Sequence, residues 1–133
     1  MDGHLGNMRT DMERIHLSDF GLVLSPKFEL SAAERDFTER HIAYDADYTA
    51  MRLVNWIVTD VCGVPKPPNG GPLTRDDYIL RNEYVAQCAV GHIPDAVPPP
   101  VAAILARHAP AAAKMNAFLW RLFDGDVHAE YPG

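Results

Sequence analysis

The chain contains little lysine and no run of basic residues. Three lysines stand beside nine arginines in 133 residues, and the formal net charge is −6. A protein that binds nucleic acid needs a basic surface that displaces counterions from phosphates, and clustered basic residues also attract proteins to anionic membranes. The composition therefore predicts an acidic protein with neither a nucleic-acid partner nor a membrane partner.

Long apolar runs are also missing, and cysteines are few. No stretch reaches the roughly 18 apolar residues that cross a bilayer, and residues 1–11 lack the apolar core of a secretory signal. The two cysteines, Cys62 and Cys88, lie within apolar helical patterns. That placement is typical of reduced core thiols in a reducing compartment. We therefore expect a soluble protein in the cytoplasm.

Familiar catalytic motifs are absent as well. The chain has no G-x-G-x-x-G, no phosphate-binding G-x-x-x-x-G-K-[ST] and no G-x-S-x-G. A di-iron site in a helical bundle needs two Glu-x-x-His pairs, whereas the sequence has one, Glu13 with His16. His41 and Asp45 share a helical face but are too few to hold a metal. The sequence predicts no metal site, identifies no cofactor, and leaves open whether the protein is an enzyme.

The clearest signal is a long helix over residues 31–62. Ser31 and Glu34 have the spacing of a capping box, and no glycine or proline follows until Gly63, which suits a left-handed helix end. Apolar and aromatic residues recur between them at alternating spacings of four and three. Such a helix is ~46 Å long, whereas a domain of this size is roughly 36 Å across. We expect it to project and to be covered by another chain.

Further helices are predicted after a loop rich in proline and glycine at residues 63–72. Thr74 and Asp77 predict a second capping box, which opens a helix that ends near Val90, before Gly91. Beyond a proline-rich connector, helices are predicted over residues 102–108 and 111–123, because Pro110 interrupts the pattern. The predicted fold is therefore mainly α, a small bundle of about four helices around one long helix.

The two ends of the chain differ from this helical domain, which spans residues 31–125. Residues 1–30 lack helical periodicity and are predicted to form an extended arm, with a short hairpin that turns at residues 18–21. The arm is apolar enough that we expect it to pack on the helices or on another subunit. Residues 126–133 are predicted to form a loose tail.

Four polar or amphipathic side chains occupy the apolar stripe of the long helix: His41, Tyr44, Tyr48 and Asn55. Leucine would stabilise more at these positions, since an unpaired buried polar group costs about 1–3 kcal/mol. We hypothesise that the first three line a pocket or a hydrated subunit contact. His41 is the candidate catalytic residue, because imidazole exchanges protons near neutral pH. Tyr44, Tyr48 and Asn55 are candidate ligand-binding residues, and Asn55 also suits the specification of helix register.

Two functions are compatible with these patterns. The first is a small helical subunit or oligomerisation module of a larger cytoplasmic assembly, not catalytic by itself, which would bind further copies of the chain or a different chain. The second is a small helical enzyme or ligand-binding protein with a polar pocket around His41, Tyr44 and Tyr48. The first is favoured, because catalytic patterns are missing while apolar segments lack an internal partner.

Overall fold

The computed structural model describes residues 5–18, 27–68 and 71–132. The described chain is mainly helical, with α1 (Ala32–Arg40), α2 (Tyr44–Asp60), α3 (Arg75–Ala89) and α4 (Pro99–Phe123). A 3-10 turn at Leu5–Asn7 precedes an antiparallel pair of strands, β1 (Met8–Thr10) and β2 (Ile15–Leu17). Within these ranges no helix combines the length and the apolar character that crossing a membrane requires.

The hydrophobic core lies between α2, α3 and α4. Val54 of α2, Val85 of α3 and Leu105 of α4 are completely buried. The buried positions of α4 recur at spacings of three and four, as on one face of a helix: Leu105, Ala109, Ala112 and Met115. No residue of α1 is buried. The prediction of a mainly helical fold is thus confirmed, but the packed bundle has three helices rather than about four around one long helix.

The predicted single helix over residues 31–62 is wrong, because the chain turns at residues 41–43. The amide of Tyr44 donates to the carbonyl of His41 in this turn, at 2.9 Å. Since α1 buries no side chain, no packing holds it in line with α2. Asp45 and Asp47 lie instead in the first turn of α2, where the helix dipole favours negative charge. The long projecting helix is therefore absent.

The helix ends follow the predicted signals. Ser31 Oγ accepts from the amide of Glu34, whose carboxylate accepts from the amide of Ser31. Thr74 and Asp77 form the same reciprocal pair at the start of α3. Gly63, just after α2, has φ +77°, a left-handed conformation that glycine adopts without steric cost. Both predicted capping boxes are confirmed.

Helix α4 is continuous over 25 residues, although the sequence predicts a break at Pro110. Proline offers no amide hydrogen to the carbonyl of Ala106, at a cost of about 3 kcal/mol in a helix interior. Both residues are exposed, so water can satisfy that carbonyl. Leu105, Ala109 and Ala112 carry the buried face past the proline, and we attribute the continuity of α4 to this packing.

A hairpin precedes the position at which the sequence predicts one. Met8 pairs with Leu17 across the two strands, and the turn occupies residues 11–14. Asp11 Oδ1 closes it by accepting from the amides of Glu13 and Arg14, at 3.0 and 2.8 Å. The 3-10 turn before β1 contacts α2. Most of the predicted turn at residues 18–21, and all of residues 22–24, lie outside the described residues.

The prediction of a loose tail is wrong for Tyr131. This side chain is only 6% exposed, and its ring packs edge-on against Tyr44 and Phe118 with centroids 5.2 and 5.3 Å away. Its hydroxyl donates to the carboxylate of Asp47. Burial of the ring and pairing of the hydroxyl together hold the end of the chain on α2 and α4.

Candidate functional site

Two adjoining cavities lie between the packed helices. The first, of about 230 Å³, is bounded by α2, α3 and α4. The second, of about 240 Å³, lies between α2, α3 and the loop that joins them. We call the two together the interhelical cleft, because the same three residues line both: Arg52, Asn55 and Arg81.

A pair of buried amides forms part of the cleft lining. Asn55 of α2 and Asn116 of α4 are 8% and 4% exposed. Each Nδ2 donates to the other's Oδ1 at 3.0 Å, and Asn55 Nδ2 also lies 2.9 Å from Met51 Sδ. Reciprocal pairing satisfies both amides within the core. The pair therefore ties α2 to α4 at one relative position.

Two arginines of the cleft lack a carboxylate partner. Among the residues that the structure describes, neither Arg52 nor Arg81 is ion-paired, whereas Arg40, Arg75 and Arg121 each contact an aspartate. No aspartate or glutamate in the described ranges lines either cavity. In a chain of net charge −6, the cleft is thus a local concentration of positive charge.

Arg81 is the less exposed of the two arginines. Its Nε is buried without a hydrogen-bond partner, as is Oδ1 of the neighbouring Asn82. Its guanidinium carbon lies 4.9 Å from the centroid of the Tyr78 ring. Burial lowers the pKa of Arg81; Tyr78 opposes this shift and the charge of Arg52 adds to it. An acceptor in the cleft would supply what Arg81 lacks.

The structure separates the four residues that the sequence singles out. Tyr48 and Asn55 both line the cleft. Tyr44 packs edge-on against Phe118, with ring centroids 6.2 Å apart. His41 lies at the turn before α2 and lines neither cavity; its ring stacks on Phe37 at 4.3 Å, and its Nδ1 is 2.8 Å from the Phe37 carbonyl oxygen. Catalysis by His41 and ligand binding by Tyr44, Tyr48 and Asn55 stay predictions.

A second polar region joins the start of α2 to α4 and to the end of the chain. Asp47 accepts hydrogen bonds from Lys114 Nζ and from the Tyr131 hydroxyl. Burial opposes ionisation of Asp47, but these hydrogen bonds outweigh it and lower its pKa. Burial and the bond to Asp47 raise the pKa of Tyr131 to about 12. The members of this Asp47 cluster partner one another, which is typical of a structural contact.

The cysteines and histidines of the described ranges form no second reactive site. Cys62 and Cys88 are free thiols. Burial, with the neighbouring Cys62, raises the pKa of Cys88, which disfavours the nucleophilic thiolate. Within the described part of the chain, no group of three or more His, Cys, Asp or Glu side chains is placed to hold a metal ion.

Arg81 and Asn116 are residues of the cleft that sequence reasoning misses. Asn116 carries a detectable signal, since an amide stands beside Met115 on the apolar face of α4. Arg81 carries none, because an arginine on a helix with scattered apolar residues is ordinarily solvated. Only the packing of α3 against α2 and α4 brings it to the cleft.

Comparison with known proteins does not indicate a function for this chain. The chain matches no protein family model, no curated protein and no solved structure. The function of the cleft and of the remaining surface is therefore inferred from the residues themselves.

Proposed function

We propose that the chain is a small, non-catalytic helical subunit of a larger cytoplasmic assembly, in which α1 contacts another protein chain. The observation that carries the proposal is the lack of packing around α1, which does not depend on the cleft.

Helix α1 is the element that most needs a partner. It has nine residues and none of them is buried, and isolated helices shorter than about 12–15 residues are marginally stable in water. Phe37 on α1 is 50% exposed, and Ile42, just beyond it, is 81% exposed. A partner chain that covers Phe37 and Ile42 would supply the apolar packing that α1 lacks.

Sedimentation velocity of the full chain over a range of concentrations, combined with amide hydrogen exchange, tests the proposal. We expect self-association with protected α1 amides, or a monomer whose α1 amides exchange much faster than those of α2. Phe37→Ser should dissociate a self-assembly. Val127→Ser removes another apolar side chain, 79% exposed and outside α1, and should not. A monomer whose α1 amides are as protected as those of α2 would contradict the proposal.

A ligand-binding protein is the second candidate function, and the cleft is the observation that favours it. The sequence places the polar pocket around His41, Tyr44 and Tyr48, whereas Tyr48 and Asn55 are the predicted residues that line the cleft. A concave site in which polar groups adjoin apolar side chains is a usual form of small-molecule site. This second function is compatible with the first, since it uses a different part of the molecule.

A further inference from the structure

The interhelical cleft combines unpaired positive charge with apolar walls. Arg52 and Arg81 contribute guanidinium groups that no carboxylate of the described chain neutralises. The remaining lining of the first cavity is largely aromatic or aliphatic, namely Met51, Tyr78, Leu119, Trp120 and Phe123. The chemical group that complements such a surface is an anion attached to an apolar body.

The position of Arg81 favours a planar anion. Its guanidinium lies over the ring of Tyr78, and a guanidinium stacked on an aromatic face keeps its in-plane N–H groups available to an acceptor. A carboxylate accepts two such parallel bonds. Arg81 lines both cavities, so its guanidinium is placed to meet a carboxylate in the cleft.

The aromatic wall favours a ligand with an apolar group over a bare inorganic anion. The rings of Trp120 and Phe123 stack with centroids 5.7 Å apart, and Tyr78 lies 6.1 and 5.6 Å from them. An apolar group gains free energy when these rings exclude water from it. A cavity of about 230 Å³ limits the ligand to a small molecule.

We propose that the interhelical cleft binds a small carboxylate that carries an aromatic or other apolar group. The carboxylate lies between Arg52 and Arg81, and the apolar group lies against Trp120. Asn82, which lines the first cavity, offers its amide to a hydroxyl or amino group of the ligand. This inference rests on the second candidate function and does not require association through α1.

Benzoate is the probe, and benzamide, its neutral isostere, is the matched control. Amide ¹H–¹⁵N spectra of the full chain during titration report binding through the residues of α2, α3 and α4. We expect saturable shifts with benzoate and at least tenfold weaker binding of benzamide. Inorganic phosphate, which has no apolar group, should also bind more weakly than benzoate.

Substitutions of single arginines connect the binding to the cleft. Arg81→Gln and Arg52→Gln should each weaken benzoate binding at least tenfold, because each removes a charged donor. Arg121→Gln removes the same charge from α4 outside the cleft lining and should leave the affinity unchanged. Arg52 is exposed, so Arg52→Gln keeps the test decisive if Arg81→Gln disturbs the fold.

Three outcomes would overturn the inference. These are equal affinity for benzoate and benzamide, tighter binding of phosphate than of benzoate, and no saturable benzoate binding at millimolar concentration. Sedimentation and amide hydrogen exchange of the same samples separate the two functions. A chain that shows the expected behaviour of α1 but does not bind benzoate would refute the ligand site and leave the subunit proposal standing. A monomer that binds benzoate but whose α1 amides are as protected as those of α2 would refute the subunit proposal and leave the ligand site standing.

Discussion

The Asp47 cluster and the interhelical cleft both lie between α2 and α4, but their charges are partnered differently. In the cluster, the Asp47 carboxylate accepts from Lys114 and from Tyr131, so a charge of each sign is satisfied. In the cleft, no carboxylate of the described residues pairs with Arg52 or Arg81, and a buried donor lacks an acceptor. Stability explains the first arrangement. We expect the second arrangement to lower stability, as sites kept for a ligand commonly do.

The largest effect is expected at the amide pair, the fully partnered part of the cleft. Asn116→Leu leaves the buried amide of Asn55 without its partner and adds a branched side chain to a packed core. We expect the free energy of unfolding to fall by about 2–3 kcal/mol in urea denaturation. Replacing both asparagines with leucine should recover much of this loss, because no amide then remains unpaired. A double variant as unstable as the sum of the singles would contradict the pairing.

The next effect concerns the paired charges of the Asp47 cluster. Asp47→Asn keeps the shape of the side chain but removes the negative charge of the carboxylate that accepts from Lys114 and Tyr131. We therefore expect the free energy of unfolding to fall by about 2 kcal/mol. Asp95→Asn is the matched control, since Asp95 is exposed and makes no ion pair in the described structure. It should change stability by less than about 0.5 kcal/mol. Equal effects of the two substitutions would remove the contrast between paired and unpaired charges.

Arg81→Met should change stability in the opposite direction. The substitution removes a buried donor without an acceptor and a charge repelled by Arg52, while a flexible apolar chain fills the space. Part of this gain is offset by the lost contact with Tyr78. We expect an increase of up to about 1 kcal/mol in the unfolding free energy without ligand. A decrease in the unfolding free energy would instead mean that Arg81 stabilises the fold.

The last effect is confined to the alkaline range, where Tyr131 titrates. Its pKa is raised to about 12 in the folded chain from an ordinary value of about 10. The stability that this tyrosine contributes is therefore complete below about pH 10 and is lost as the pH rises to about 12. Unfolding midpoints measured across this range should fall less steeply for Tyr131→Phe. Burial also raises the pKa of Tyr84 to about 12. Tyr84→Phe should therefore remove a separate part of the alkaline loss of stability.

Local signals predict the helix starts well and the helix continuity poorly. The capping boxes of Ser31 and Thr74 depend on residues three positions apart, so a short stretch of sequence contains the whole interaction. The turn at residues 41–43 and the uninterrupted α4 depend on packing instead. Phe37 continues the apolar stripe, but neither it nor any other residue of α1 is buried. Pro110 interrupts the helical pattern of the sequence, but it lies on the exposed side of α4.

The residues of the cleft also differ in how well the sequence predicts them. Tyr48 and Asn55 are predictable because polar groups on an apolar stripe must find partners. The role of Arg81 is not predictable, since residues of α2 and α4 complete the cavity that Arg81 lines. His41 fits the stripe by spacing, yet it lies in the turn before α2 and lines neither cavity.

The sequence alone determines that this protein is mainly helical and where its capped helices begin. These properties follow from periodicity and from contacts between residues close in the chain. Only the tertiary structure decides that α1 separates from α2, that Tyr131 covers the core, and that Arg52 and Arg81 share one cleft. Each of these depends on the free energy of contacts between residues distant in sequence, because burial and pairing outweigh the weaker preferences of single residues.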